Sequence, residues 1–151
     1  MSTASFETLP FTADHLKGDL QALLQDPFLL RCAADEFKKD RNVVTMLVEM
    51  KGLCLEFASD DLKADRDIVL RAVMQDAYAL RFAAESLKGD CDIVRMAAEI
   101  KGGSLQFAAE DLKSSRDFVM QVVAIDGLCL EFVTHSLKGD GDIVIQAIKE
   151  N

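Results

Sequence analysis

The sequence predicts an all-α fold, an α-solenoid (superhelix) of tandem two-helix repeats of about 25 residues with about 12 short helices. Three observations predict it. Leu62-Lys63, Leu87-Lys88, Leu112-Lys113 and Leu137-Lys138 stand 25 residues apart, and Phe37-Lys38 extends the series by one step. Residues 62–86 laid over 87–111 give 12 identities in 25. Within each copy, apolar residues recur at helical spacing, with no strand-like alternation.

Numbering each copy from that leucine (or Phe37) as zero, the first helix begins near position +3. Asp40, Asp65, Asp90, Ser115 and Asp140 stand there as N-caps, able to accept from the free N–H groups of the first turn. Position +5 holds Asn42, Asp67, Asp92, Asp117 and Asp142, where the helix dipole favours an acid. Apolar pairs at +6/+7 (Ile68-Val69 in one copy) and at +10/+11 (Ala72-Val73) line one side of a 3.6-residue helix. Glycine at +15 (Gly52, Gly102, Gly127, with Ala77 the exception) is read as the left-handed residue that closes this helix.

A second helix is expected from about +16 to +25, with +18, +21, +22 and +25 as its buried stripe. Leucine marks +18 (Leu55, Leu80, Leu105, Leu130) and phenylalanine +20 (Phe57, Phe82, Phe107, Phe132). The lysine at +1 then complements the dipole at its C-terminal end. Helices of roughly ten residues, each about 15 Å long, are marginal alone in water. They are therefore expected to be held by stacking on neighbouring units.

A single helical-repeat domain, residues 1–151, divides into units of about 7–36, 37–61, 62–86, 87–111, 112–136 and a partial 137–151. Leu16-Lys17 precedes Phe37 by 21 residues, so the first unit is about four residues short. Leu9, Phe11 and Leu16 match +18, +20 and +25, which reads residues 7–17 as a lone second helix; residues 140–150 read as a lone first helix.

The pattern L-K-x-D-x-D-I-V-x-x-A-V followed by G-x-x-L-x-F-A resembles the family called domain of unknown function 4116. Residues 62–73 and 127–133 carry the resemblance best; it spans about 37–150 well and 7–36 loosely. It implies tandem short helical repeats and brings no activity, cofactor or catalytic residue. A weaker likeness to HEAT-type and leucine-rich-variant helical repeats bears on architecture alone.

Net charge is −9, so nucleic acid and acidic lipid are not the expected partners, and a charge-steered partner would be basic. No run reaches the length of a membrane span and the N-terminus lacks a signal pattern. With Cys32, Cys54, Cys91 and Cys129 forming no C-x-x-C pair, reduced thiols and an intracellular, cytoplasmic setting are expected.

Candidate chemistry has a simpler reading at each point. The Asp-x-Asp pairs could ligate calcium, but a loop beginning at Asp140 would place Val144 and Ile145 where an oxygen donor and a glycine are needed, so caps are preferred. The lysines at +1 could track phosphates, but each precedes a cap acid or serine by two residues, which neutralises it. His15 and His135 lie at opposite ends, leaving His135 with only close neighbours such as Cys129 or Ser136. The phenylalanines at +20 are read as packing between units in preference to a stacking surface. No phosphate loop occurs. Hence no enzyme and no cofactor is expected.

A binding surface is sought in what varies between copies, at +8, +9, +12 and +13. There Met46, Met50, Leu70, Met74, Met96, Ile100, Met120 and Ile125 form a candidate edge for a protein or peptide, unless they only touch the next unit. The last helix keeps an apolar side (Ile143, Val144, Ala147, Ile148) where a cap would turn polar, so the alternative is a self-associating structural array, or a fragment of a longer repeat protein, docking through its apolar end helices.

Overall fold

In the computed structural model the described residues are 13–150, with side chains described from residue 19. Each full unit proves to be three helices, not two. The long helices are α1 (Ala13–Gln25), α3 (Arg41–Met50), α5 (Arg66–Gln75), α7 (Cys91–Ile100), α9 (Arg116–Val123) and α11 (Gly141–Lys149). Each of the first five is followed by a six-residue 3-10 helix: η1 (Pro27–Cys32), η2 (Gly52–Phe57), η3 (Ala77–Phe82), η4 (Gly102–Phe107) and η5 (Gly127–Phe132). A short α-helix then leads to the next long one: α2 (Asp35–Lys39), α4 (Asp60–Lys63), α6 (Glu85–Lys88), α8 (Glu110–Ser114) and α10 (His135–Lys138). Among the described residues there is no strand.

The expected second helix is thus split. Its first part has a period of three, and residues at +15, +18 and +21 eclipse on one buried row. Gly52, Leu55 and Ala58 form that row in one unit, Ala77, Leu80 and Ala83 in the next. After +21 the backbone is extended, and Ser59 has φ −63° and ψ 158°. The N–H freed there turns to the preceding short helix. Ser59 N–H donates to the Lys38 carbonyl at 2.9 Å, and Ala84, Ala109 and Thr134 do the same to Lys63, Lys88 and Lys113. A long-range backbone hydrogen bond has displaced the local helical one.

The long helices follow the sequence pattern. Val44, Val69, Val94 and Val119 at +7 are fully buried, as are Leu47, Ala72, Ala97 and Val122 at +10. Burial of a valine or leucine side chain stabilises by about 1.5–3 kcal/mol. Asp65 accepts from the N–H groups of Asp67 (3.0 Å) and Ile68 (3.2 Å), so the +3 aspartates are N-caps. Asp40, Asp90 and Asp140 cap in the same way. Ser115 occupies the N-cap of α9, but its side chain makes no cap bond.

The glycine reading needs correction. No residue among those described has a positive φ of the left-handed kind, and Gly52 opens η2 instead of closing α3. Its role is close approach. A Cβ on Gly52 would overlap the carbonyl oxygen of Ala72 in the following unit, and one on Gly102 would overlap the Asp126 carboxylate. The Gly52 N–H also donates to the Gln75 side chain across the same junction.

At the N-terminal end, α1 is one continuous helix of 13 residues, so residues 13–17 begin a first-type helix and do not end a second-type one. Leu9 and Phe11 lie outside the described residues, as do the side chains of His15, Leu16 and Lys17. Counted back from Asp26, the N-cap of η1, residues 16–25 take the places of Arg41–Met50, so α1 begins three residues earlier than those places require.

Units touch their sequence neighbours: α3 packs on α5, α5 on α7, α7 on α9 and α9 on α11, while η1 to η5 stack in order. The short helices pack against the long helices that follow them. The core is one continuous row along this stack. Among the described residues no helix is long and apolar enough to cross a membrane.

Candidate functional site

The candidate edge is built by the outer faces of α3, α5, α7 and α9 and by Ile125 in the turn that follows α9. Because +6, +7, +10 and +11 face inward, +9, +12 and +13 are turned outward, and +8 lies at the boundary. Met46 (41%), Met50 (45%), Met74 (60%), Ile100 (50%) and Ile125 (40%) are exposed to solvent. Leu70 and Met120 at +8 are half-buried against the core, and Met96 is also half-buried. The alternative reading, contact with neighbouring units, therefore describes these three in part, and not the other five. Leu128, 60% exposed at the start of η5, extends the apolar edge and was not anticipated.

Charges are interleaved with this edge and are mostly engaged. Arg71 pairs with Glu49 across one junction, and Arg95 pairs with Asp92 at 3.1 Å within α7. Lys51 lies 5.2 Å from the centre of the Phe28 ring, and Lys101 lies 4.2 Å from that of Tyr78, each reaching back one unit. Such contacts are worth about 0.5–1 kcal/mol at exposed positions. Position +14 alternates along the stack: Asp26, Lys51, Asp76, Lys101, Asp126. The three aspartates cap their 3-10 helices, whereas the two lysines cover aromatic rings.

The phenylalanines at +20 are half-buried against the core. Phe28 and Phe57 meet edge to face at 6.4 Å, as do Tyr78 and Phe107 at 5.9 Å. Arg81 lies over both Phe82 (4.8 Å) and Phe107 (5.9 Å). These rings are spent on packing between units.

A polar feature that the sequence reading passed over runs along the stack. Position +4 is arginine in three units, and each arginine bridges to the two acids of the next unit. Arg41 holds Asp65 (3.1 Å) and Asp67 (3.4 Å), Arg66 holds Asp90 (3.1 Å) and Asp92 (3.4 Å), and Arg116 holds Asp140 (2.9 Å) and Asp142 (2.7 Å). Burial disfavours the Asp65 and Asp90 carboxylates, but the cap N–H groups and the arginines outweigh it and hold both pKa values below the ordinary 3.8. The Arg116 guanidinium does the same for Asp140, whose own charge raises the pKa of Arg116 in return. The signal was present in the sequence. Where +4 is Cys91, or Leu16 counted back from Asp26, one of the two receiving acids is also missing, at Ser115 and Asn42.

Four of the lysines at +1 are paired, but with acids three residues before them and not with the later cap residues. Lys38 pairs with Asp35 (3.7 Å), Lys63 with Asp60 (4.0 Å), Lys88 with Glu85 (2.7 Å) and Lys113 with Glu110 (2.6 Å). Cys54 and Cys129 are fully buried, Cys32 is half-buried, and Cys91 is exposed, so only two fit the buried-thiol reading. Burial pushes the Cys54 thiol up to about 11 and the Cys129 thiol up to about 12. The Cys129 thiol donates to the Gly102 carbonyl at 3.7 Å, which leaves His135, exposed at the start of α10, no nucleophile in it. Among the described residues, no three histidine, cysteine or acidic side chains are grouped to hold a metal ion.

At the C-terminal end the four anticipated residues divide. Ile143 is fully buried and Ala147 is 3% exposed, both consumed by packing of α11 on α9 and η5. Val144 is half-buried and Ile148 is 69% exposed. Their equivalents in earlier units, such as Val119 and Val123, are fully covered by the unit that follows. Ile145 (55% exposed) and Leu128 add to this face, and Gly127, Leu128, Leu130, Glu131 and Lys138 line an open recess of about 330 Å³.

Comparison with known proteins agrees with this repeated architecture. The family described as Domain of unknown function (DUF4116) matches residues 20–63, 40–88, 65–113, 90–134 and 115–151. Four of these matches begin at an N-cap, Asp40, Asp65, Asp90 or Ser115, and each of the first four spans parts of successive units. No curated protein and no solved structure matches the chain. The overlapping matches cover residues 20 to 151, and the chain belongs to the DUF4116 repeat family.

Proposed function

We propose that the chain is a non-enzymatic protein-interaction scaffold that works without a cofactor. In this reading it holds a protein or peptide along the first-helix edge and binds neither nucleic acid nor membrane. The observation that carries this is the exposed series Met50, Met74 and Ile100 from α3, α5 and α7, continued by Ile125 just beyond the end of α9. Methionine and isoleucine in water are adaptable contact groups, and repetition offers a partner several anchors at once. The net charge of −9 favours a basic partner during encounter. Reduced thiols and the chain's composition fit an intracellular, cytoplasmic setting.

Affinity capture from native lysate tests it, using the wild type beside a Met50→Ser/Met74→Ser/Ile100→Ser variant. Proteins retained by the wild type and lost by a variant of unchanged melting temperature support the edge. The same set captured by both overturns it.

A second reading rests on Ile148, Ile145 and Leu128 at the C-terminal face, which are exposed where interior equivalents of Ile148 are covered. Here the chain self-associates as a structural array. Light scattering decides: a strictly monomeric species at high concentration overturns this second reading.

A further inference from the structure

The arginine bridges do not run the whole length of the stack. They close the α3/α5, α5/α7 and α9/α11 junctions, and the α7/α9 junction has none. Cys91, exposed, stands where Arg41, Arg66 and Arg116 stand in the other units, and Ser115 stands where the receiving aspartate would be. Asp92 pairs with Arg66 of the preceding unit and with Arg95 within α7.

A further observation falls on the same junction. The Ser115 side chain gives α9 no cap bond, whereas Asp40 caps α3 even though the α1/α3 junction also lacks an arginine at +4. The long helices α7 and α9 also pack less closely on each other than the pairs at the three bridged junctions. Ala97 and Ala98 are small, but they are buried, and Phe118 is buried at +6 of the next unit where the others hold valine or isoleucine. What this junction lacks as well is polar restraint.

We infer that the stack contains one built-in joint, between α7 with η4 and α9 with η5, at which the units from α9 onward open or pivot as a block. In a one-dimensional array each interface opens on its own stability, so the interior junction lacking both bridge and cap opens first. Its neighbours in the stack stay closed. This concerns the array's mechanics and stands whether or not a partner occupies the first-helix edge.

Amide hydrogen exchange on the full chain tests it. Residues 116–149 are expected to exchange as one block, about tenfold or more faster than residues 66–100, with a step at α9. The Cys91→Arg/Ser115→Asp variant supplies both halves of the missing bridge and is expected to remove the step, while Cys91→Ser leaves it. Protection that declines smoothly from the C-terminal end, with no step at Arg116, overturns the joint. So does a step that survives in a folded double variant.

Discussion

Asp90 is held by Arg66 at 3.1 Å across one junction while it accepts from the N–H groups of Asp92 and Ile93, 3.0 and 3.1 Å away, at the start of α7. One carboxylate thereby ties two units together and starts the helix of the second. The two roles separate by mutation. Arg66 is about half exposed, so Arg66→Ala is expected to cost about 0.2–1 kcal/mol. Asp90→Ala loses the cap as well and is expected to cost about 1–2 kcal/mol. Urea unfolding checks the order, and equal losses would mean that the cap contributes nothing.

Acid should weaken the fold through the same carboxylates. The folded pKa values of Asp65, Asp90 and Asp140 lie below the ordinary 3.8, so their contribution is fully present above that value. It is lost as pH falls below 3.8 and through the lowered folded values. Melting temperatures taken between about pH 6 and about pH 2 should fall in that acid window, and less steeply in Arg66→Ala.

Gly52→Ala should destabilise strongly for a packing reason. The added carbon meets a backbone carbonyl, that of Ala72, which cannot swing aside, and a cost of about 1–3 kcal/mol is expected. Gly141→Ala serves as the contrast. Nothing lies within 4 Å of a Cβ there, and a neutral or slightly stabilising change is expected in the same denaturation experiment.

Ser104→Ala should be stabilising. It removes a fully buried hydroxyl that has no hydrogen-bond partner, and a gain of about 1 kcal/mol is expected. Thermal unfolding of the single variant checks it, and a lower melting temperature would show that the hydroxyl is satisfied in solution.

Thiol labelling should separate the cysteines into two classes. Cys91 reacts promptly and Cys32 more slowly, while Cys54 and Cys129 react only as the chain unfolds, since burial holds their thiols protonated, up to about 11 and about 12. Peptide mapping after timed labelling of the native protein gives the order directly.

The long helices and their caps were legible because local chemistry decides them. An aspartate two residues before an acid, followed by Ile68-Val69 and Ala72-Val73, has one good solution. The second helix was misread because leucine at +18 and alanine at +21 satisfy a period of 3.6 and a period of 3 equally over so short a span. Half-exposed Ser59 and Ala84 at +22 were the residues that broke the tie, and their burial is not a local property. The glycine at +15 was misread for a related reason. A left-handed cap and a close approach both ask for a missing Cβ, and only the Ala72 carbonyl of the next unit distinguishes them. The candidate edge was legible in part: outward +12 and +13 follow from the inward stripe, whereas Met96 and the +8 residues Leu70 and Met120 are half-buried.

The backbone hydrogen bonds from Ser59, Ala84, Ala109 and Thr134 to the lysine carbonyls of successive short helices join each unit to the next in series. A pull applied to the two ends of the chain therefore loads every junction with the same force, and the weakest yields while the others hold. Rupture should come in discrete events, each releasing one unit of 25 residues and lengthening the tether by its fully extended length, roughly 80–90 Å, less the span the folded unit already gave. Such an array extends under tension by counting out units, and regains its length as each one docks again on its neighbour.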